Sequence, residues 1–503
     1  MNRRPGRGRR LNRGAIGRKD ARVNPMLARF ADRIAARLPA AAIVTDRDAI
    51  APWETDWRRR YHGHAGLLLA PATVDEVQAI VAAARAEGVA LVPQGGNTSM
   101  VGGATPPADG SAAILSLRRL NAIRAIDADA GLAVAEAGVI LATLHAAAAA
   151  HGRRFPLSLG AKGSATIGGL VSTNAGGTQV LRFGTMRGLV AGIEAVLPDG
   201  SRHDGLAALK KDNRGYDLTQ LLIGAEGTLG IVTAATLRLV PAVAGRTVAW
   251  AGVASPDAAM TLLRRFQRAT PALESFELLP AESLAAVLAY LPDARAPIAG
   301  AHPWHVLIEV TADDAPDGAA AVVERVLGAA IGDGLAADAT IAASETQAEA
   351  FWRIRESISD AERATGPAAQ HDIAVPVEAM PRFMIEAAAA CEARFPGTHA
   401  SGFGHLGDGN VHFHVRAAPG TDPADWYARQ VPVVSAFVHD LVVAAGGTIS
   451  AEHGIGQMKR DELERLTPPA RLAALRAIRA AFDPGELMNP GKLVTLAPPR
   501  NPQ

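Results

Sequence analysis

The sequence predicts an α+β protein built from more than one domain. A strand–helix–strand unit opens near residue 67 and runs directly into a glycine-rich loop. A second glycine-rich region spans 158–177 and is framed by further extended segments. After Pro241 the composition becomes Ala-rich and loses such loops as far as residue 395, which marks a second domain. At 503 residues the chain is long enough for about three compact units, and 49% hydrophobic residues supply their cores.

In chain order, LLLAP is a short strand. Thr73 followed by Glu76 is a capping box ahead of the helix EVQAIVAAARAEG, which Gly88 stops. VALVP is the next strand and leads into QGGNTSMVGG (94–103). AAILSL (112–117) and GLAVAEAG (131–138) are strands, and the apolar stretch from Gly138 to Ala150 is a buried helix. GLVAGIEAVLPDG is extended and closes on an Asp-Gly turn. LLIGAEGTLGIVTAATLRLVP (221–241) ends the first unit. ETQAEAFWRIRESISDAERA (345–364) reads as one helix with Arg355 and Ser359 four apart on one face. Arg is the usual bidentate partner of a carboxylate, but an ordinary solvated face fits that spacing equally well.

Composition excludes several classes. No run of 18 apolar residues occurs, so no membrane-spanning helix is expected. The single cysteine, Cys391, excludes an internal disulfide and a cysteine-ligated cluster, and a reducing, cytoplasmic compartment is the natural expectation. Net charge is +1 overall, but residues 1–22 carry eight Arg and one Lys against one Asp, a net +8, so the rest is −7. That start lacks the apolar core of a secretory signal. It reads as a disordered basic tail over 1–25 without catalytic role, with Met26 as a second candidate start. A nucleic-acid arm and, in a eukaryote, a mitochondrial presequence are the other readings of it.

Glycine lets backbone N–H groups approach a phosphate, and successive N–H groups make an anion-binding nest. The loops 94–103 and 163–177 together are suited to a pyrophosphate; one alone would pass for a tight turn. GFGHLG (402–407) has the spacing of a dinucleotide fingerprint but lacks its βαβ setting, because DGNVHFHV reads as a hairpin turn and a strand. In that strand His412 and His414 share one face, and His405 lies on the opposite arm facing His412. A single strand histidine is ordinarily a hydrogen-bonded core residue. Three in ten residues, with Glu452-His453 in a Gly-flanked turn, favour a divalent metal held by His405, His412 and a carboxylate such as Glu452.

These stretches resemble the FAD-linked oxidases of the vanillyl-alcohol-oxidase and p-cresol methylhydroxylase type, nearest the D-2-hydroxyglutarate and D-lactate dehydrogenases. The likeness runs from Trp53 to Val494 through PQGGNTSMVGG, PLSLGAKGSATIGG, STNAGGTQVLRFGTMRG, KDNRGYDLTQLLIGAEGTLGIVT, FWRIRES, HDIAVPV, GHLGDGNVHFHV, ISAEHGIGQMK and FDPGELMNPGKL. It implies a two-subdomain FAD-binding domain of the p-cresol methylhydroxylase type at 60–242. An α+β substrate domain follows at 243–450, and a C-terminal helical segment, 451–496, returns to the flavin. Pro93, Gly95, Gly96, Asn97 and Thr98 would wrap the diphosphate, with Gly163, Thr166, Gly168, Gly169, Asn174 and Gly176 lining the cofactor. Glu226 and Ile231 fall at adenosine-side positions and Asn489 near the isoalloxazine.

The likeness further implies metal ligands His405, His412 and Glu452, with Zn2+ or Mn2+ expected, a catalytic base His453, and substrate contacts Arg355 and Ser359. FAD would be non-covalent, since no His or Cys stands at a covalent-flavin position. Gln370 stands where close relatives often have Lys, and His414 where several have Asn. The implied activity is oxidation of a D-2-hydroxy acid, D-2-hydroxyglutarate or D-lactate, with electrons passed to a flavoprotein, cytochrome or quinone. A FAD subunit of a glycolate oxidase complex is the alternative. No nucleic-acid partner is expected, and a homodimer is compatible with the sequence.

Overall fold

The computed structural model describes residues 24–313 and 318–496, so the basic tail expected over 1–25 lies almost entirely outside the described residues. Three sheets organise the rest. The first has four strands in the order Ile43–Val44, Ala65–Leu69, Ala112–Ser116, Ala90–Gln94, the last three parallel. Val74–Glu87 is the crossover helix of that parallel set. Thr73 accepts a hydrogen bond from the Glu76 N–H, Glu76 reaches back to the Ala72 N–H, and Gly88 ends the helix at φ +69°. The capping box therefore does what its residues dictate.

The ordered fold starts earlier than residue 60. Asn24 caps a helix, Pro25–Ala35, whose Leu27, Phe30 and Ile34 pack into the core of the first sheet beside Ile80 and Leu91. The second sheet is antiparallel, in the order Ile123–Asp127, Leu132–Glu136, Ile231–Arg238, Val190–Val196, Arg202–Gly205. Asp199 and Gly200 turn between its last two strands, with Gly200 at φ +88°. The helix Leu141–Ala149 packs on this sheet through Leu141, Leu144 and Ala148.

The third sheet has seven strands, ordered Ala336–Ile341, Gly245–Val253, Trp304–Ala312, Leu273–Pro280, His399–His405, Asn410–Arg416, Ala368–Ala374. One face is covered by helices Pro256–Ala269, Gly318–Gly332, Met380–Arg394 and Val431–Ala444 around Phe276, Val411, Phe413 and Val415. The other face packs Trp250, Leu279 and Phe403 against the helices Ala281–Tyr290 and Glu345–Glu356. Beyond that cluster the same face turns toward the first two sheets, and there it carries histidines. The segment 345–364 is not one helix: it breaks at Ser357 into Glu345–Glu356 and Ile358–Ala364. Arg355 and Ser359 therefore sit on different helices.

The C-terminal helices are Arg460–Leu466 and Pro469–Phe482. Ile478 and Phe482 pack against the second sheet, and the chain then returns to the first, where the Asn489 N–H donates to the Leu91 carbonyl at 2.8 Å. No helix among the described residues is long and apolar enough to cross a membrane.

Candidate active site

A cavity of about 690 Å³ lies where the first two sheets meet the histidine face of the third. Both glycine loops line it, with Pro93, Gly95, Gly96, Asn97 and Thr98 from one and Thr166, Gly168, Gly169 and Gly176 from the other. The loops interlock. A Cβ on Gly95 would run into the Thr166 hydroxyl, and one on Gly96 into the Ser164 carbonyl. Of the seven described non-glycine residues with positive φ, four are Asn97, Asn174, Glu226 and Asn489, at φ +54°, +51°, +52° and +45°. Backbone held in this region costs of order 1–3 kcal/mol per residue and gathers at ligand sites. Thr166 Oγ1 and Asn489 Oδ1 are buried on this wall without a protein partner. Orphaned polar atoms beside interlocked glycine loops fit a bound FAD.

Some expected contacts fall elsewhere. The Ile231 side chain is packed in the core between the first two sheets. Gly163 is off the cavity wall, and a Cβ there would meet nothing within 4 Å. Asn174 caps the helix Ile167–Thr173 in a left-handed conformation, and its Oδ1 accepts from the Arg187 N–H. Glu226 does line the cavity, but its carboxylate is occupied by the N–H groups of Ile455 and Gly456, both at 2.7 Å. The Asn489 amide donates to the carbonyls of Gly103 and Glu226 at 2.9 and 2.7 Å, so the returning C-terminal segment closes the same wall.

The opposite wall carries the histidines. His399–His405 and Asn410–Arg416 form the hairpin foreseen at Asp408-Gly409, with Gly409 at φ +84°. The register puts Phe403 opposite His412 and Asn410 opposite His405. His405 and His412 are thus diagonal neighbours rather than directly opposed, with ring centroids 5.6 Å apart. Glu452 arrives from the loop after Val431–Ala444, its Oε1 4.0 Å from His405 Nε2. One ligand atom from each of His405, His412 and Glu452 lies within 4.8 Å of the others.

Electrostatics support the grouping. Burial disfavours a charged His405 ring, but the Glu277 carboxylate, 2.6 Å from Nδ1, outweighs it and holds the pKa up at about 9. Glu277 is held down to about 2 despite its burial, by Arg355 and His405. Burial pushes Glu452 up and, with the Arg355 and His405 charges, pushes His412 well down. A divalent cation would take the place of the proton on His405 and stabilise ionised Glu452. The Glu277–His405 pair is the carboxylate–histidine arrangement that orients a metal ligand. The donor set therefore fits a divalent ion with open coordination positions.

His453 lines the cavity next to Glu452. Burial lowers its pKa, opposed by Asp372 and reinforced by Lys459, Arg58 and Arg60, so the ring is neutral and able to accept a proton. Its Nδ1 lies 3.3 Å from Asp372 Oδ2, and the same oxygen accepts the N–H groups of Glu452 and His453 at 3.0 and 2.9 Å. Asp372 and Glu277 were not foreseen from the sequence. Arg355 is buried behind the cavity wall, donating to Glu277 at 2.7 Å, whereas Ser359 does line the cavity. His414 lines it too, its Nδ1 bound to Glu362.

Two family models cover the chain: "FAD binding domain" over residues 65–205 and "FAD linked oxidases, C-terminal domain" over 244–493. A D-2-hydroxyglutarate dehydrogenase of Xanthomonas citri pv. viticola is 37% identical over 456 residues, 91% of this chain and 95% of that protein. The mitochondrial D-2-hydroxyglutarate dehydrogenase of Arabidopsis thaliana is 35% identical, over 90% of this chain and 79% of the relative. Among solved structures, substrate-bound p-cresol methylhydroxylase superposes with a TM-score of 0.74 at 14% identity, covering 93% of this chain and 97% of that one, which shows the shared fold. The chain belongs to the FAD-linked oxidases, and within them to the group of FAD-dependent D-2-hydroxy acid dehydrogenases.

Proposed function

We propose that this chain oxidises D-2-hydroxyglutarate to 2-oxoglutarate, with the substrate held at a divalent cation, Zn2+ or Mn2+. The observation that carries this is the convergence of His405, His412, Glu452 and His453 beside the cavity that both glycine loops line. Non-covalent FAD, seated on the two loops, supplies N5 as acceptor for the substrate's C2 hydride. A cation at His405, His412 and Glu452 supplies Lewis acidity toward the C1 carboxylate and C2 hydroxyl; the same effect takes zinc-bound water from about 15.7 to about 7.

His453 takes the hydroxyl proton. Its Nδ1 faces Asp372, which leaves Nε2 as the accepting atom and stabilises the imidazolium that results. The C2–H bond breaks with its electron pair, the O–H bond breaks without it, and C2–O becomes a carbonyl. Arg355 acts through Glu277 and His405, fixing the ring that carries one ligand atom. Ser359 lines the same cavity. Turnover would then need a separate electron carrier to reoxidise the bound FAD.

Anaerobic titration of the FAD- and metal-loaded protein with D- and L-2-hydroxy acids tests the reading. Bleaching of the flavin by D-2-hydroxyglutarate and not by its L enantiomer is expected. Loaded protein whose flavin no 2-hydroxy acid bleaches would overturn it. A chain that gains activity only on addition of a second subunit would point instead to a component of a glycolate oxidase complex.

A further inference from the structure

Several cations on the cavity wall have no ion pair among the described residues, and one of them, Arg58, is held against an amide. Arg58, in the turn that Asp56 ties together, reaches 312 residues along the chain to donate from Nη1 to Gln370 Oε1 at 2.7 Å. Its Nε is buried without a partner, and so is Gln370 Nε2. Both residues line the cavity. Two N–H donors without a protein partner, one on the guanidinium and one on the amide it holds, could serve a carboxylate, which can accept both. The charge is unmet as well. Arg60 and Arg363 also line the cavity; Arg363 is paired with Asp360, whereas Arg58 and Arg60 have no ion pair among the described residues. Burial and the like charges of Arg60 and Arg363 outweigh the opposing Asp360 and Tyr427 and push the Arg58 guanidinium down to about 10.

The register of the sheet gives the distance to the histidines. In the pairing of Ala368–Ala374 with Asn410–Arg416, Asp372 lies opposite His412 and Gln370 opposite His414, all on the cavity face. Gln370 is therefore two residues along the strand from the level of His412, about 7 Å. The two carboxyl carbons of a five-carbon diacid are four C–C bonds apart, about 5 Å in zigzag extension with bonds of about 1.5 Å. With its C1 end among His405, His412 and Glu452, such an acid would bring its other carboxylate to Gln370 and Arg58. A monocarboxylic acid would leave the guanidinium unpaired, an unfavourable state for a half-buried charge.

We propose that Arg58, positioned by Gln370, binds the far carboxylate of a dicarboxylic 2-hydroxy acid and makes this chain selective for the diacid. This rests on the reading of the C1 end given above. The test compares D-2-hydroxyglutarate with D-2-hydroxypentanoate, which keeps the carbon chain and replaces the far carboxylate by a methyl group. Arg58→Gln should lower the ratio of kcat/KM for the diacid over the monoacid by about 10- to 100-fold, as expected for a lost charged hydrogen bond. The loss should fall mainly in KM, and Arg58→Lys should restore part of it. Gln370→Glu places a carboxylate against the same guanidinium and should lower the ratio without touching Arg58, which decides the matter if Arg58→Gln fails to fold. On the unaltered protein, glutarate should raise the unfolding temperature more than pentanoate does. An unchanged ratio in either folded variant overturns the proposal. Failure of both acids to bleach the flavin of the unaltered protein overturns instead the reading on which it rests.

Discussion

At the residue scale the site turns on one dipeptide. In the proposed reaction Glu452 would contribute to the cation's donor set and His453 to proton transfer, so a single backbone conformation must aim both. Asp372 sets it by accepting both their N–H groups. His453→Gln should lower kcat by about 100- to 10,000-fold while changing substrate affinity little, since a base acts in the transition state. Stopped-flow flavin reduction measures this directly, and near-normal reduction would move the base elsewhere, with His414 the next candidate. The histidines were legible because three in ten residues is an unusual density. Asp372 was not, because a lone Asp in an alternating strand gives no signal by itself. Glu277 left a trace that could have been read: LESFELLP is an apolar strand with two acids, and fully buried Glu is rare unless paired.

At the element scale the hairpin is the critical part. Gly409 sits at φ +84°, and a Cβ there would strike the Val375 carbonyl. Gly409→Ala should therefore cost about 1–3 kcal/mol of stability and weaken metal binding, because the turn sets the stagger between His405 and His412. Thermal unfolding and metal titration check it; unaltered metal affinity in a folded variant would show that the stagger is set elsewhere. Most elements were readable from local chemistry: the Thr73–Glu76 box, the Gly88 stop, the Asp199-Gly200 turn. The break at Ser357 was not, because the helical periodicity runs through it. The Ile354 and Ile358 side chains both reach the core of the third sheet, so no polar-to-apolar change marks the joint. Likewise Ile231 and Gly163 have the right residue types for a cofactor wall, and only the tertiary packing shows that they are off it.

At the scale of the whole molecule, Glu274 pins the two domains together. This acid, fully buried on the third sheet, takes guanidinium groups from Arg154 and Arg182 of the first domain, with Thr311 at 2.9 Å. Breaking a buried pair by removing one partner costs about 3–5 kcal/mol. Glu274→Gln should lower the unfolding temperature and loosen the domain interface, read by calorimetry and by protease sensitivity at the joint; an unmoved transition would mean that the interface is held by its apolar contacts alone. Chelation should abolish substrate reduction of the flavin while leaving FAD bound, and His405→Ala should reproduce it. Active protein without a stoichiometric divalent ion would refute the metal assignment.

The loop from Ser450 to Gly456 is gripped at one end by Asp372 of the third sheet and at the other by Glu226 of the first domain. The Glu452-His453 dipeptide is thus held by both domains. A fragment carrying the second domain and the C-terminal segment would retain the Asp372 grip only, and His453 would be left without a fixed aim. The same arrangement makes the two ends of the reaction answer to each other. If FAD steadies the Glu226 end and so tightens the cation, the cation must tighten FAD by the same factor, because a coupling free energy has no direction.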